Sequence, residues 1–470
     1  MTPRVALRQA ALCALLAAIS MVPLSQVTGP DPNAWMSWSY WLINSGTIDF
    51  GFGPSWKPLP VLITAPLNLL GPATTAAVWL WIVRFSAFWC SSMLYRLVVR
   101  RDGFDGKRIS GAARFGGVVA ALLPFTIRPW VNTTVVGESE TVALALVLTA
   151  LLLFLDHKPR ATTITLAFAG LLRPETWPLL AAQLIWRRRQ GDRPVGLDAV
   201  LSLSTLAFCW FIFPQIVSSG GTPLAMQGGY SLKDANLHTI YSNVLGVMPP
   251  KAWLFIPIGV AGAFAARRRA PLMLAGGAVL LIIEITLLWA LHPPITAAGY
   301  TPVLRYFAVA GVMLCGAAGA GAEALASLNK SRATQIAGVL GASLILAGAI
   351  GTSIDGTESA VSRARDTGRS SQQAVVAIER AGGADRLASC QPWTISNWSA
   401  IGWSISRRLG IPLSAISTKP RTPSIALDFT VGGWVLRTPP PADQSGRRVL
   451  SVNGPWEIVY YPGASGCLRG

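Results

Sequence analysis

Apolar residues run along most of this chain in blocks, several close to the roughly 20 residues that cross a bilayer as an α-helix, with polar stretches between them. The blocks predict helices over Val5–Val27, Ala73–Val98, Gly111–Ile127, Thr141–Leu155, Gly196–Val217, Trp253–Ala266, Leu272–Leu291, Phe307–Leu325 and Ala333–Ile354. One segment breaks the rhythm. Ala161–Leu172 and Trp177–Trp186 are each about half a span long, with Arg173-Pro174-Glu175 between them and basic residues beyond both outer ends. This predicts a short helical hairpin whose charged tip enters the membrane, where charge and irregular backbone are tolerated only inside protein or beside water. With the hairpin arms included, the pattern describes an α-helical polytopic membrane protein of about 9–11 membrane helices. After residue 354 the apolar blocks stop and mixed polar sequence begins. Gln372–Ala381 and Ala400–Leu409 read as helices, and Ile425–Leu436 and Trp456–Tyr461 as strands. The chain therefore divides into a membrane module, 1–354, and a small α/β domain, 355–470, long enough to bury a core of its own.

Charge fixes the orientation expected of these spans. Only 13% of residues are charged, against about 25% in soluble proteins. The net charge of +18 would point to nucleic acid in a soluble chain. Here the basic residues gather in short connections: Arg100, Arg101, Lys107 and Arg108; Lys158 and Arg160; Arg187–Arg189; Arg267–Arg269; Lys330 and Arg332. All fall on one side of the predicted spans, the signature of a cytoplasmic face, so no nucleic-acid partner is implied. Arg4 and Arg8 place the N-terminus on that face. Ser25-Gln26-Val27 makes a poor signal-cleavage site, so the first helix is read as retained. The C-terminal domain is then extracytoplasmic on a plasma membrane. The excess of Arg over Lys with abundant Ala and Gly suggests a GC-rich bacterial genome.

Cys13, Cys90, Cys209 and Cys315 lie in apolar spans and read as packing residues. Cys390 and Cys467 lie in the outside domain, where a disulfide between them is permitted. His157, His238 and His292 are far apart, and no metal-ligand spacing occurs. No cofactor is called for, and a divalent cation requirement stays open.

Candidate chemistry collects in the outside loops. Asp31 follows the first span, and Trp35, Trp38 and Trp41 share one face of a short helix in the same loop. Asp31 is either a general base facing a cavity or a helix N-cap ahead of Pro32. The tryptophans read as interfacial anchors. Asp49 is a second acid, and Lys57 either neutralises a phosphate or snorkels at the interface. Glu138 and Glu140 stand at i, i+2, so on one helix they point apart and at most one shares a cavity with Asp31. Arg128 precedes Pro129-Trp130 as an anchor or a ligand. The Arg173–Glu175 tip either salt-bridges internally or lines a cavity. Arg84 and Glu284, near mid-span, read as structural partners of each other. Arg305-Tyr306 opens a late span, where an arginine grips phosphate oxygens bidentately or anchors the membrane edge. Carboxylates and arginines on one membrane face suit transfer to a hydroxyl with a phosphate leaving group.

The order of these features resembles that of the GT-C class of membrane glycosyltransferases. An acid follows the first span (Asp31), a surface helix lies in that loop, short hairpin helices surround Leu171-Leu172-Arg173-Pro174-Glu175, Arg305-Tyr306 opens a late span, and an outside domain trails. The stretch Gly53-Pro54-Ser55-Trp56-Lys57-Pro58-Leu59-Pro60 is similar to that of actinobacterial members. The resemblance covers residues 1–354. It implies sugar transfer from a polyprenyl-phosphate donor, with inversion, to a cell-envelope glycan, glycolipid or protein on the outer membrane face. It implies Asp31 as base and Lys57, Arg173 and Arg305 as donor-phosphate ligands; Arg128, Glu175 and Tyr306 are further substrate-binding candidates. Many members carry adjacent acids after the first span, whereas Asp31 is followed by Pro32-Asn33, which leaves Glu138, Glu140 and Asp49 open as bases. A transporter or lipid flippase, and a non-catalytic scaffold, are the competing readings. The chain has no nucleotide-binding loop of the G-x-x-x-x-G-K-[ST] type and no clear repeated half.

Overall fold

The computed structural model describes residues 3–22, 28–50, 56–100, 110–192, 194–220, 250–295 and 304–327, and beyond them chiefly 372–388 and the strand residues 393–395, 416–417, 425–429, 448–453 and 456–460. The chain forms two compact units. The first comprises Met1–Leu24, Trp79–Trp210 and Gly228–Val361; the second comprises Ser25–Val78, Phe211–Gln227 and Ser362–Gly470.

Among the described residues, five helices are long and apolar enough to cross a membrane. They are α1 (Pro3–Met21), α4 (Pro72–Val99), the run Val195–Val217, and the apolar stretches Arg269–Leu287 and Phe307–Ser327. α6 (Arg128–Val136) and α7 (Glu140–Leu155), bent by 108° at their junction, form either a broken sixth span or a re-entrant loop. Pro58–Leu70, Gly111–Thr126 and Ala252–Ala265 are shorter apolar helices. The chain is thus a polytopic α-helical membrane protein. Most of the expected span Ala333–Ile354 lies outside the described residues.

The first unit is built around one helix, α14 (Leu304–Ser327), flanked by α5 (Gly111–Leu122), α12 (Phe255–Ala265) and α13 (Arg269–Ile295). From Gly316 to Ala322 α14 is entirely Gly and Ala, and small residues let helix backbones approach closely in a membrane. A Cβ on Gly259 of α12 would lie 1.8 Å from Ala317 O, and one on Gly321 would lie 2.1 Å from Phe255 O. On the other side, Gly116 of α5 and Gly319 meet with each virtual Cβ 2.5 Å from the other's carbonyl oxygen.

The expected hairpin is present as α8 (Pro159–Gly170) and α9 (Trp177–Arg189), joined through a single 3-10 turn at Pro174–Thr176. Gly170 O at its bend accepts hydrogen bonds from both Trp177 Nε1 (3.1 Å) and Trp210 Nε1 (2.9 Å). Its basic end is pinned to α10 (Val195–Ala207): buried Arg187 pairs with Asp192 at 2.7 Å and Asp198 at 2.8 Å, and donates to Thr163 Oγ1 at 3.0 Å. A second basic end is tied by Arg268, paired with Glu323, and by Arg100, paired with Asp156. Cys13, Cys90 and Cys315 are buried and Cys209 half-buried, as packing residues should be. Arg84 and Glu284 do not pair as the sequence suggested. Arg84 donates to Ser20 O and Val135 O, whereas Glu284 interacts electrostatically with Glu175 and Arg173.

In the second unit, α2 (Pro30–Ser45) starts on Pro30, with Gly29 as N-cap and Asp31 in the first turn. Asp31 is therefore not the N-cap. The helix stops at Gly46, whose φ of 69° is the left-handed cap that glycine adopts without strain. α3 (Pro58–Leu67) packs on α2 through Thr64 Oγ1, which donates to Ser39 Oγ at 2.9 Å, and Asn68 Nδ2, which donates to the same oxygen at 2.7 Å. β1 (Ile48–Asp49) pairs in parallel with β2 (Ser218–Gly220). The C-terminal part carries a mixed five-stranded sheet of order β4-β3-β5-β7-β6. Its strands are β3 (Trp393–Ile395), β4 (Ile416–Ser417), β5 (Ile425–Phe429), β6 (Arg448–Asn453) and β7 (Trp456–Tyr460). β3 is parallel to β4 and β5, and β7 is antiparallel to β5 and β6. Ile425–Phe429 and Trp456–Tyr460 are strands as expected, the remaining residues of both expected strands lie outside the described residues, and residues 372–380 are helical. Cys390, Cys467 and most of Ala400–Leu409 lie outside the described residues.

Two outcomes follow from this packing. Gly259→Leu forces α12 from α14 and destabilises the protein by about 3 kcal/mol or more, whereas Gly276→Leu, at a position with open space, changes stability by less than about 1 kcal/mol; thermal unfolding in detergent measures both. Asp198→Asn weakens one of the two carboxylate contacts of buried Arg187 and leaves Asp192 in place, and it costs about 1.5 kcal/mol, the loss of one charge-assisted hydrogen bond, read in the same assay.

Candidate active site

Three elements of the first unit converge through their charged ends. α6 stops at Val136, and Gly137, at a φ of 85°, turns the chain sharply into α7. This turn carries Glu138, and Glu140 is the first residue of α7. The hairpin tip supplies Arg173 and Glu175. The start of α14 supplies Arg305. Arg173 Nη1 lies 2.8 Å from Glu140 Oε1, and its Nη2 donates to Glu175 Oε1 at 2.9 Å. Arg305 Nη1 lies 3.3 Å from Glu138 Oε1, and its Nε lies 3.6 Å from Glu140 Oε1. Glu140 thus stands between two guanidinium groups, and Glu284 of α13 lies within electrostatic reach of the like-charged Glu175 and of Arg173.

The two glutamates of the turn act together, against the expectation that spacing i, i+2 would separate them. That rule belongs to a continuous helix. Glu138 precedes the helix and lies beyond the Gly137 bend, so both carboxylates face Arg305.

Burial makes these contacts strong and the two arginines different. The Glu138 and Glu140 carboxylates are buried, where charge interacts with little screening and desolvation is costly unless the charge is paired. The Arg173 side chain is 12% exposed and holds its two partners at short range, while Arg305 is 30% exposed and reaches its partners at longer range. Arg173 therefore fixes the hairpin tip to α7. Arg305 is the more exposed of the two arginines, and a planar guanidinium is the group that takes phosphate oxygens bidentately.

The remaining candidates fall elsewhere. Arg128 opens α6 and is exposed, and the Tyr306 side chain lies outside the described residues. Asp31, Asp49 and Lys57 belong to the second unit. Lys57 is buried, with Nζ 4.7 Å from the centroid of Trp35, so it makes a cation–π contact and does not snorkel. Trp35 and Trp38 are likewise buried and not membrane-surface anchors. Trp38 donates to Asp49 O at 3.0 Å and packs with Phe50 and Trp56, and Trp56 stacks on Phe213. Asp31, half-buried in the first turn of α2, benefits from the positive end of the helix dipole. Glu284 was assigned a different partner from sequence; its mid-span position was the signal, but nothing in the sequence tells which helix it faces.

No family model matches the chain, and no curated protein is similar to it in sequence. Solved structures do match over nearly the whole length. The crystal structure of ArnT from Cupriavidus metallidurans in the apo state superposes with a TM-score of 0.58 at 13% identity, covering 97% of both chains. The same protein bound to undecaprenyl phosphate gives 0.58 at 14% identity and 98% of both chains. ArnT is a GT-C glycosyltransferase, and the fold of this chain is that of ArnT.

Proposed function

We propose that this protein is a membrane glycosyltransferase that moves a sugar from a polyprenyl-phosphate donor to a hydroxyl of a cell-envelope acceptor on the outer face of the plasma membrane. The observation that carries the reading is the net of Glu138, Glu140, Arg173, Glu175 and Arg305 at the meeting of the bent span, the hairpin tip and the start of α14. The ArnT-like fold supports it, since one ArnT structure holds undecaprenyl phosphate.

The chemistry needs three things. The donor phosphate needs cations, and Arg305, the more exposed arginine of the net, is the first candidate; Lys57 is the second. The acceptor hydroxyl needs a base. In this reading Asp31, the acid that follows the first span, is the base, and Glu138 and Glu140, paired with guanidinium groups, orient the arginines. The hydroxyl oxygen attacks the anomeric carbon, its proton passes to the carboxylate, and the anomeric C–O bond breaks with its electron pair leaving on the phosphate. A single displacement inverts the anomeric centre. The arginines stabilise the charge gathering on the departing phosphate without donating a proton. The reading also keeps residues 355–470 as an extracytoplasmic domain and the N-terminus in the cytoplasm.

Transfer from a panel of radiolabelled polyprenyl-phosphate sugars, assayed in membranes with envelope acceptors, tests this. Asp31→Asn lowers kcat by about 10²–10⁴-fold, the usual contribution of a general base, with little change in donor KM. Arg305→Lys raises donor KM about tenfold, the loss of one charge-assisted hydrogen bond of ~1.5 kcal/mol. Full activity in Asp31→Asn with loss in a folded Glu140→Gln moves the base to Glu140. Absence of transfer by the wild type from every donor sinks the transferase reading and favours a transporter.

A further inference from the structure

The turn that presents Glu138 and Glu140 is held from behind by α4. A helix C-terminus leaves its last carbonyls without intrahelical donors, and in a membrane protein each of these needs a partner from the protein itself. α6 ends at Val136, and the backbone N–H groups of Gly137 and Glu138 both return to Thr133 O. The carbonyls of Val135 and Gly137 are met by two buried side chains of α4. Trp79 Nε1 donates to Gly137 O at 2.8 Å, and Arg84 Nη2 donates to Val135 O at 3.4 Å. Leu80 closes the contact, its Cδ2 3.0 Å from where a Cβ on Gly137 would sit.

Arg84 does more than fill this gap. Its other arm, Nη1, donates to Ser20 O at 3.2 Å in the last turn of α1. One guanidinium thus joins the carbonyl ends of two helices, each carrying partial negative charge that favours a cation. A planar fork with donors pointing two ways suits the task, and a lysine ammonium does not match it. An arginine buried within a span is costly, yet its recorded hydrogen bonds run to backbone carbonyls and to Met21 Sδ and not to a carboxylate.

We propose that Arg84 and Trp79 are positioning residues, which fix the Val135–Gly137 turn so that Glu138 and Glu140 reach Arg305 and Arg173 together. The kinetic part of this inference rests on the transferase reading; the structural part does not.

The test uses the full-length protein in nanodiscs with Arg84→Gln, Arg84→Lys and Trp79→Phe. Amide hydrogen exchange reads local opening, and steady-state transfer reads the site. In Arg84→Gln and Trp79→Phe, exchange over residues 137–141 rises about tenfold while α14 is unchanged. Their kcat falls about 10–100-fold, as expected when reacting groups are misplaced by about 1 Å, with donor KM within about threefold of wild type. Arg84→Lys, which keeps the charge, recovers more activity than Arg84→Gln. If Arg84→Gln does not fold, Trp79→Phe carries the test. Unchanged exchange over 137–141 in the folded variants overturns the proposal, as does a rise in donor KM with kcat intact. A wild type without transfer overturns the transferase reading alone, and the exchange result then decides the positioning role.

Discussion

A carboxylate buried in a membrane protein has to be answered by a cation at contact distance, and Glu140 is answered twice. Water cannot screen it there, so the interaction with Arg173 and Arg305 is strong and the cost of leaving any member alone is high. This requirement ties together elements distant in sequence: the bend between α6 and α7, the tip of the α8–α9 hairpin and the first turn of α14.

The apolar part of the first unit serves the same arrangement by a different force. Lipid tails are as apolar as leucine, so helices gain little from burying leucine against each other. Close backbone approach supplies the contact instead, and the Gly and Ala run of α14 lets α5 and α12 come within a distance that a Cβ would forbid. At the opposite, basic end of the bundle, Arg187, Arg268 and Arg100 each find an acid. The helices are thus fixed at the basic end and along their length, while the candidate site has one arginine held tightly and one held loosely.

The second unit shows how burial changes the meaning of a residue. Tryptophans every three residues beside a lysine look like a belt at a membrane surface. In the folded chain Trp35 and Trp38 are buried, and Lys57 sits against the Trp35 ring with its charge on the π face. The side-chain pattern is the same in both cases, and only the identity of what lies against it differs.

The sequence by itself determined the class of molecule. Span-length apolar blocks, basic connections and half-length arms around Arg173-Pro174-Glu175 follow from local hydrophobicity and charge, and these are properties of contiguous residues. It also marked Glu138, Glu140, Arg173, Glu175 and Arg305 as candidates, because an ionisable residue at a span end or at membrane depth stands out in an apolar chain. Tertiary structure decided which of them meet. That Glu138 and Glu140 both face Arg305 depends on a backbone bend at Gly137. That Arg84 holds two helix ends and Glu284 joins the hairpin charges depends on how helices are rotated against each other. Rotation is set by the packing of side chains far apart in the chain, and no periodicity within one helix records which neighbour its charged face will find.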